Sequence, residues 1–269
     1  MKKNFTRNLT ESAVLLALAT VLSFIKLLDL PAGGSITLCS MLPIILISYR
    51  FSYKTGLLAG FVFSIIQLLS GVKTLSYATS FVAAVAIIML DYIIPFTCLG
   101  LGGIFRKSFK NQATAITVGT AFVSVLRYLC HTVSGCTVWA GLSIPTEDAL
   151  IYSLSYNATY MLPELVISVV SAFYIATAVD FRGERLERIV ATEKKGFSVL
   201  SLIGKLLAVL TAIADVLLIA PHLQNSDSGE FFIEGIKNVN LTAVVLVTVL
   251  GLFLSLICIF IPKIALKKD

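Results

Sequence analysis

Long runs of apolar residues fill this chain, and short clusters of polar and charged residues separate them. A helix needs about 20 mostly apolar residues to cross the hydrocarbon core of a membrane. The pattern therefore predicts an all-α, polytopic membrane bundle with eight spans. We place its helices at residues 9–29, 37–50, 55–72, 80–105, 113–136, 148–180, 199–221 and 240–262.

In two of these predicted helices, we expect a proline to change the direction of the helix. The second helix is short, and we expect Pro43 to bend it. The sixth is too long for one straight span, and we expect Pro163 to kink it, because proline removes a helical hydrogen bond. The first apolar run follows basic residues as a signal peptide would, but no small-residue cleavage site ends it, so it is expected to remain as a helix.

A polar stretch from Asp180 to Ser198 divides the chain. Within it, Leu186, Ile189 and Val190 suggest a short amphipathic helix lying at the inner membrane interface. Six predicted spans precede this stretch, and one hairpin follows it. We therefore expect a six-helix membrane core over residues 1–180, a basic cytoplasmic linker over 181–198 and an additional transmembrane hairpin of unassigned role over 199–269.

The composition agrees with a membrane protein. Its mean hydropathy is +0.94, with 57% hydrophobic and 13% charged residues, whereas soluble domains average about 45–50% apolar and about 25% charged residues. Of the 21 lysines and arginines, seventeen fall in segments on one predicted side, and the opposite loops keep only Lys73 and Lys237. Because cytoplasmic loops are enriched in Lys and Arg, both termini are expected to be cytoplasmic.

Several classes of function are disfavoured by what the sequence lacks. The five cysteines show no metal-binding spacing, so no metal site or disulfide framework is expected. Gly204-Lys205 has neither the upstream glycine nor the following Ser or Thr of a P-loop, and no HExxH or GxSxG motif occurs. The divided basic clusters follow membrane topology and do not suggest nucleic acid. We therefore expect no catalytic residues, no cofactor and no ATPase activity of its own.

Three residues spaced by four stand out at the end of the fifth predicted helix and just beyond it: His131, Gly135 and Trp139. If this stretch is helical, each step of four residues turns the helix by about 400°, so all three share one stripe. Trp139 is also the only tryptophan in the chain. An imidazole, a glycine gap and an indole arranged this way can form one wall of a slot for a flat, partly polar small molecule.

Other polar residues could complete such a slot. Tyr152 and Asn157 begin the sixth predicted helix, and Asp91-Tyr92 lies inside the fourth. A carboxylate within a membrane is costly unless it is paired or hydrated, which makes Asp91 a functional candidate. Alternatives stay open at this point, since aromatic residues near helix ends often form interfacial belts. Asp91 could also pair with Arg127 as a structural ion pair.

These residues resemble those of a known family, the thiamine-specific substrate-binding subunits (S components) of energy-coupling factor transporters. The resemblance spans roughly residues 8–180 and is carried by SITLCSMLPIILISYRFSYKTGLLAGF, DYIIPF, RYLCHTVSGCTVWAG and IYSLSYN. It implies a protein that captures thiamine from outside and docks on a shared membrane subunit driven by two ATPases. It also implies that Ala13 and Ala17 belong to the docking face, where small side chains permit close helix contact.

The resemblance implies a role for each candidate residue. Trp139 would stack on the rings of the ligand, His131, Tyr152 and Asn157 would orient its polar groups, and Gly135 would leave room for it. Asp91, beside Tyr92, would bind the aminopyrimidine, although the family usually has a longer glutamate there. The family also places a tryptophan over the ligand in the first outer loop, where this chain has Pro31-Ala32-Gly33-Gly34-Ser35.

Three other functions remain open from the sequence. The first is an S component for a related pyrimidine or another vitamin. The second is a self-sufficient ion-coupled carrier with Asp91 or Asp215 as its proton site, which is disfavoured because the two halves show no inverted repeat. The third is a membrane enzyme using His131, Arg127 and Asp91, which is disfavoured because no nucleophile or metal set accompanies them.

Overall fold

The helices and strands of the chain are seen in a computed structural model, which describes residues 2–29, 34–139, 141–142, 144–189, 199–223 and 233–265. The chain forms two compact units, Met1–Ile189 and Val190–Asp269. The helices are α1 (Lys2–Phe24), α2 (Leu42–Arg50), α3 (Tyr53–Ser70), α4 (Phe81–Ile87), α5 (Ile94–Thr97), α6 (Gln112–Thr137), α7 (Glu147–Ala178), α8 (Val199–Ile219) and α9 (Leu241–Ala265). The short strands are β1 (Lys26–Asp29), β2 (Ser35–Thr37), β3 (Val179–Asp180) and β4 (Glu187–Arg188).

Six helical segments in the described part of the chain are long and apolar enough to cross a membrane. They are Tyr53–Ser70, Phe81–Lys107, Gln112–Thr137, Glu147–Ala178, Leu202–Leu223 and Leu241–Ile259. The eight predicted spans therefore reduce to six by this measure. Of the other two, α2 has only nine residues, and α1 is polar and charged through its first third.

The predicted C-terminal end of the first helix is wrong. α1 ends at Phe24, and β1 pairs antiparallel with β2 to form a hairpin, with Lys26 opposite Thr37 and Asp29 opposite Ser35. The sequence between the strands contains Pro31, Gly33 and Gly34, which favour a turn over a continued helix. A short apolar run such as 25–30 is compatible with either helix or strand, and its neighbours decide between the two.

The second predicted helix begins later than expected. α2 begins at Leu42 rather than at residue 37, and Pro43 lies in its first turn. Proline is favoured at this position because its missing N–H would have no helical partner there. The prediction that Pro43 bends the helix is therefore wrong, since Pro43 helps to begin it. All nine residues of α2 are buried, so this short helix forms the centre of the first unit.

The fourth predicted helix is not a single α-helix. α4 and α5 are separated by a π-helical segment, Ile88–Ile93, and a 3₁₀ turn follows at Cys98–Leu101. Pro95 explains part of this irregularity, because it has no N–H to donate to the carbonyl of Asp91 four residues earlier. The backbone instead uses a longer bond, from Ile94 N to Met89 O. π-helical segments of this kind occur frequently at functional sites.

Close backbone contacts hold the helices of the first unit together. A Cβ on Gly60 of α3 would lie 2.8 Å from the carbonyl oxygen of Phe96, and one on Gly56 would lie 2.8 Å from that of Gly100. The GxxxG pair therefore lets α3 approach the α5 region, as such pairs do in membrane helices. Next to this contact, the rings of Phe63 and Phe96 meet edge to face, with centroids 5.6 Å apart.

The segment after α7 differs from the predicted amphipathic helix. β3 pairs antiparallel with β4, so Glu187 and Arg188 lie in a strand, while Val190 and the rest of the linker to residue 198 lie outside the described residues. Arg50 of α2 donates hydrogen bonds to the carbonyls of Gly183 (3.1 Å) and Glu184 (2.9 Å). The guanidinium of Arg50 also binds Glu11 of α1, which fixes α1, α2 and this segment to one another.

The second unit is a helical hairpin. Gly204 of α8 faces Ser255 of α9, where a Cβ on the glycine would lie 2.6 Å from the serine carbonyl oxygen. Further along, the Thr248 hydroxyl donates to Asp215 Oδ2 at 2.9 Å. The acid in this apolar hairpin is thus hydrogen-bonded across the two helices, which reduces the cost of its burial.

Candidate functional site

A cavity of about 760 Å³ lies among α3, the π-helical segment, α6, α7 and the β1–β2 hairpin. Seven residues are predicted from the sequence as ligand contacts, and every one of them lies on the cavity surface. These are Asp91, Tyr92, His131, Gly135, Trp139, Tyr152 and Asn157. They come from the π-helical segment, from α6 and the turn after it, and from α7, so only the tertiary fold brings them together.

Asp91 lies at the centre of a hydrogen-bond cluster on one side of this cavity. The Trp139 indole N–H donates to Asp91 Oδ2 at 3.0 Å, and the Ser134 hydroxyl donates to the same oxygen at 2.8 Å. His131 Nδ1 lies 3.1 Å from Asp91 Oδ1. The alternative that Asp91 pairs with Arg127 is therefore wrong. The carboxylate instead holds the His131 imidazole of α6 and the Trp139 indole, two residues beyond α6, in fixed orientations.

The imidazole of His131 has one nitrogen that is not used by this cluster. Its Nδ1 faces Asp91, whereas its Nε2 has no hydrogen-bond partner within the described residues. In the neutral tautomer with the proton on Nδ1, Nε2 is unprotonated and can accept a hydrogen bond. The hydrogen bond that one ring nitrogen makes decides which nitrogen carries the proton. An N–H donor on a ligand would then match this nitrogen.

Aromatic side chains surround the Asp91 cluster. The Tyr77 and Trp139 rings pack against each other with centroids 5.6 Å apart and planes tilted by 45°. The Tyr92 hydroxyl lies 3.0 Å from the Gly71 carbonyl oxygen and 2.9 Å from Thr74 Oγ1. These two contacts anchor the segment that carries Tyr77. The indole is therefore supported on one side, and its orientation is fixed by Asp91 on the other.

The opposite wall of the cavity belongs to α7. The Tyr152 and Tyr156 rings are stacked almost in parallel, with centroids 6.4 Å apart and an interplanar angle of 5°. Asn157 is buried and is bonded at both ends of its amide, since its Nδ2 donates to the Ser153 carbonyl at 2.9 Å and its Oδ1 accepts from the Tyr160 hydroxyl at 2.6 Å. Asn157 therefore fixes the positions of Ser153 and Tyr160 in this wall. A ligand that contacts Asn157 has to bind amide atoms that already make these hydrogen bonds.

Gly135 has a packing role that the sequence does not reveal. The space beside its Cα is filled by Ser153 of α7, whose Cβ would lie 3.0 Å from an added Cβ. The Ser153 hydroxyl donates in turn to the Thr132 carbonyl at 2.8 Å. The missing side chain of Gly135 thus allows α6 and α7 to approach each other beside the cavity.

Three residues that contribute to the site were not singled out from the sequence as ligand or positioning groups. Ser134 joins the Asp91 cluster, and its position three residues after His131 places it near the same helix face. Glu164 and Thr37 form a second polar group on the cavity, where Glu164 pairs with Arg127 at 2.5 Å. No sequence pattern links Thr37 to Glu164, because 127 positions separate them.

The chemistry of the cavity suits binding rather than reaction. Aromatic faces attract flat and cationic groups, and the Asp91 carboxylate attracts hydrogen-bond donors. Among the residues that the structure describes, no group of three or more His, Cys, Asp or Glu could hold a metal ion. The arrangement therefore favours a small, flat ligand that carries positive charge and N–H donors.

Three comparisons with known proteins each find similarity to thiamine transporters. The sequence profile of the thiamine transporter protein family matches residues 9–181. The thiamine transporter ThiT of Bacillus subtilis (strain 168) is 35% identical over 170 residues, which cover 59% of this chain and 84% of that protein. A solved structure of ThiT from Listeria monocytogenes is similar in fold, with a TM-score of 0.51 and 23% identity, over 64% of this chain and 93% of that one.

Proposed function

The chain belongs to the thiamine transporter protein family, and on this premise we propose that its cavity binds thiamine on the outer side of the membrane. The resemblance drawn from the sequence is confirmed by the family match, which begins and ends within one residue of the expected segment 8–180. The family consists of transporters, so the prediction of a multi-pass membrane protein that is not an enzyme is confirmed as well.

The single observation that carries this proposal is the convergence of Asp91, His131 and Trp139 on one cavity. Thiamine has a cationic thiazolium ring and a flat aminopyrimidine. An indole face attracts a cation by about 0.5–2 kcal/mol. A carboxylate offers about four acceptor sites, and protein donors use three of them on Asp91. One site is left for the amino group of the ligand.

We propose further that the protein acts as an S component, which docks on a membrane coupling subunit driven by two ATPases. Ala13 and Ala17 lie on an exposed face of α1, beside the exposed apolar side chains of Val14 and Leu18. Small residues on an apolar face allow another helix to approach closely, which supports a docking role for this face. The asymmetry of lysines and arginines supports cytoplasmic termini.

Tryptophan fluorescence gives a direct test of thiamine binding. Because Trp139 is the only tryptophan, thiamine added to the purified protein is expected to quench the fluorescence of the chain. Trp139→Ala should weaken binding at least tenfold by calorimetry, since it removes the ring face and its cation attraction. Trp139→Phe, which keeps a ring, should lose less. Quenching by a different pyrimidine or vitamin, with none by thiamine, would move the assignment to that ligand within the family.

The docking face can be tested separately from binding. Ala17→Trp places a large ring on the exposed face of α1 and is expected to abolish uptake in membranes that contain the coupling subunit and its ATPases. Thiamine binding to the same purified variant should stay at the level of the parent protein, because Ala17 does not line the cavity. Undiminished uptake by Ala17→Trp would remove this face from the docking surface.

A further inference from the structure

The β1–β2 hairpin needs support from outside itself. It contributes Lys26, Gly34, Ser35 and Thr37 to the cavity surface, so its position shapes the space offered to a ligand. Its ladder is short, and its register is irregular between Lys26 and Leu28. Two-stranded hairpins are at best marginally stable by themselves. Contacts with the helices must therefore hold this part of the cavity surface in place.

The segment from Gly34 to Cys39, which includes β2, lies along one stripe of α7. Gly34 N–H donates to the Tyr156 hydroxyl at 3.2 Å, and a Cβ on Gly34 would lie 2.9 Å from the ring of Tyr160. Beyond β2, Cys39 Sγ donates to Ser171 Oγ at 3.1 Å. The α7 positions 156, 160, 164, 167 and 171 are spaced by three or four residues and share one face.

Glu164 makes the charged contact in the middle of this stripe. Its Oε1 accepts hydrogen bonds from the amide N–H of Thr37 at 3.2 Å and from the Thr37 hydroxyl at 2.5 Å. Its Oε2 accepts from Arg127 Nη1 of α6 at 2.5 Å. Glu164 is 1% exposed and Arg127 is 7% exposed, so these bonds are shielded from solvent. One carboxylate thus joins α6, α7 and β2.

A buried ion pair is not a general means of stabilising a fold. Replacing such a pair with apolar residues of similar volume is often neutral or stabilising, because desolvation of the charges offsets their attraction. The pair instead fixes the orientation of the carboxylate. A carboxylate that an arginine holds in place accepts hydrogen bonds from a neighbouring strand in one geometry only. In this chain the strand is β2, through both donors of Thr37.

We propose that Glu164 is a positioning residue whose carboxylate, held by Arg127, fixes β2 against α7 and keeps that wall of the cavity ready for thiamine. The inference rests on the proposed function for its ligand and on the contacts of Thr37 for its geometry. A preorganised wall spares the ligand the cost of ordering it. Loosening the wall should therefore weaken binding mainly through faster dissociation.

The test uses the whole 269-residue chain and changes Thr37, which leaves the Arg127–Glu164 pair intact. Thr37→Val keeps the shape of the side chain but removes the hydroxyl, whereas Thr37→Ser keeps the hydroxyl. Thr120→Val is the matched control, because it makes the same change at another buried threonine of the first unit, whose hydroxyl donates to the Ile116 carbonyl at 2.9 Å and which does not line the cavity. The rate of thiamine dissociation is followed by stopped-flow fluorescence of Trp139.

We expect Thr37→Val to release thiamine about tenfold faster, as loss of a hydrogen bond to a charged group implies. Thr37→Ser and Thr120→Val should both match the parent protein. Hydrogen–deuterium exchange across residues 34–41, without ligand, should be faster in Thr37→Val alone. Equal exchange and equal dissociation in the Val and Ser variants would overturn the inference while leaving thiamine binding intact. If the parent protein does not bind thiamine, the proposed function fails and exchange alone decides the role of Glu164.

Discussion

Replacing Asp91 with asparagine is expected to weaken thiamine binding about 10- to 100-fold, the loss associated with a buried hydrogen bond to a charged group. The carboxylate receives bonds from Trp139, Ser134 and His131 at the same time. An asparagine offers one acceptor oxygen, and its NH₂ group would face a donor of the cluster. The change therefore disturbs both the ligand contact and the orientation of the indole. Calorimetry with purified protein measures the affinity.

Two matched variants separate charge from shape in this experiment. Asp91→Glu keeps the charge with one more methylene and should retain more affinity than Asp91→Asn. Asp215→Asn changes the acid of the α8–α9 hairpin, which does not line the cavity, and should leave affinity unchanged. Unchanged binding in a folded Asp91→Asn variant would remove Asp91 from the site. A loss in Asp215→Asn instead would point to the self-sufficient carrier.

Helical spacing made one side of this site predictable. The sequence places α6 at residues 113–136, and the structure places it at Gln112–Thr137. His131 and Gly135 lie one step of four apart within α6, so their shared face follows directly from the sequence. Trp139 lies two residues beyond the end of α6, where its N–H donates to the Ser134 carbonyl at 3.2 Å, so regular helical spacing alone does not set its position. Asp91 could be singled out as well, because a carboxylate in an apolar run needs a partner.

The partners of the charged residues could not be predicted in the same way. Arg127 had two possible acids, Asp91 and Glu164, and both lie in apolar segments of other helices. The choice depends on how α5, α6 and α7 pack, and the π-helical segment around Asp91 changes the direction of its side chain. Backbone irregularity and helix packing are tertiary properties, which a single sequence does not specify residue by residue.

The β1–β2 hairpin marks a second limit. Its first strand, β1, has only four residues, and a 3.6-residue apolar period cannot be distinguished from a strand pattern over so few positions. Its position is decided by contacts made far along the chain, of Gly34 with Tyr156 and of Thr37 with Glu164. Sequence patterns within the hairpin therefore do not reveal that it forms part of the cavity surface.

The Arg127–Glu164 pair allows stability and positioning to be separated. Arg127→Met leaves the Glu164 carboxylate buried without its cation, which is expected to cost about 3–5 kcal/mol and to lower the melting temperature of the detergent-solubilised protein markedly. Adding Glu164→Leu removes the remaining charge, so the double variant should regain most of the lost thermal stability. Thermal unfolding of the two single variants and the double variant provides the cycle.

The same double variant should not regain thiamine affinity. Without Glu164, the Thr37 amide and hydroxyl lose their acceptor on α7, so β2 is no longer held against the helix even though the fold is stable. We therefore expect a protein that melts near the parent temperature but releases thiamine about as fast as Thr37→Val. Full recovery of both properties would show that the pair serves packing alone. Recovery of neither would mean that the ion pair itself is required for folding.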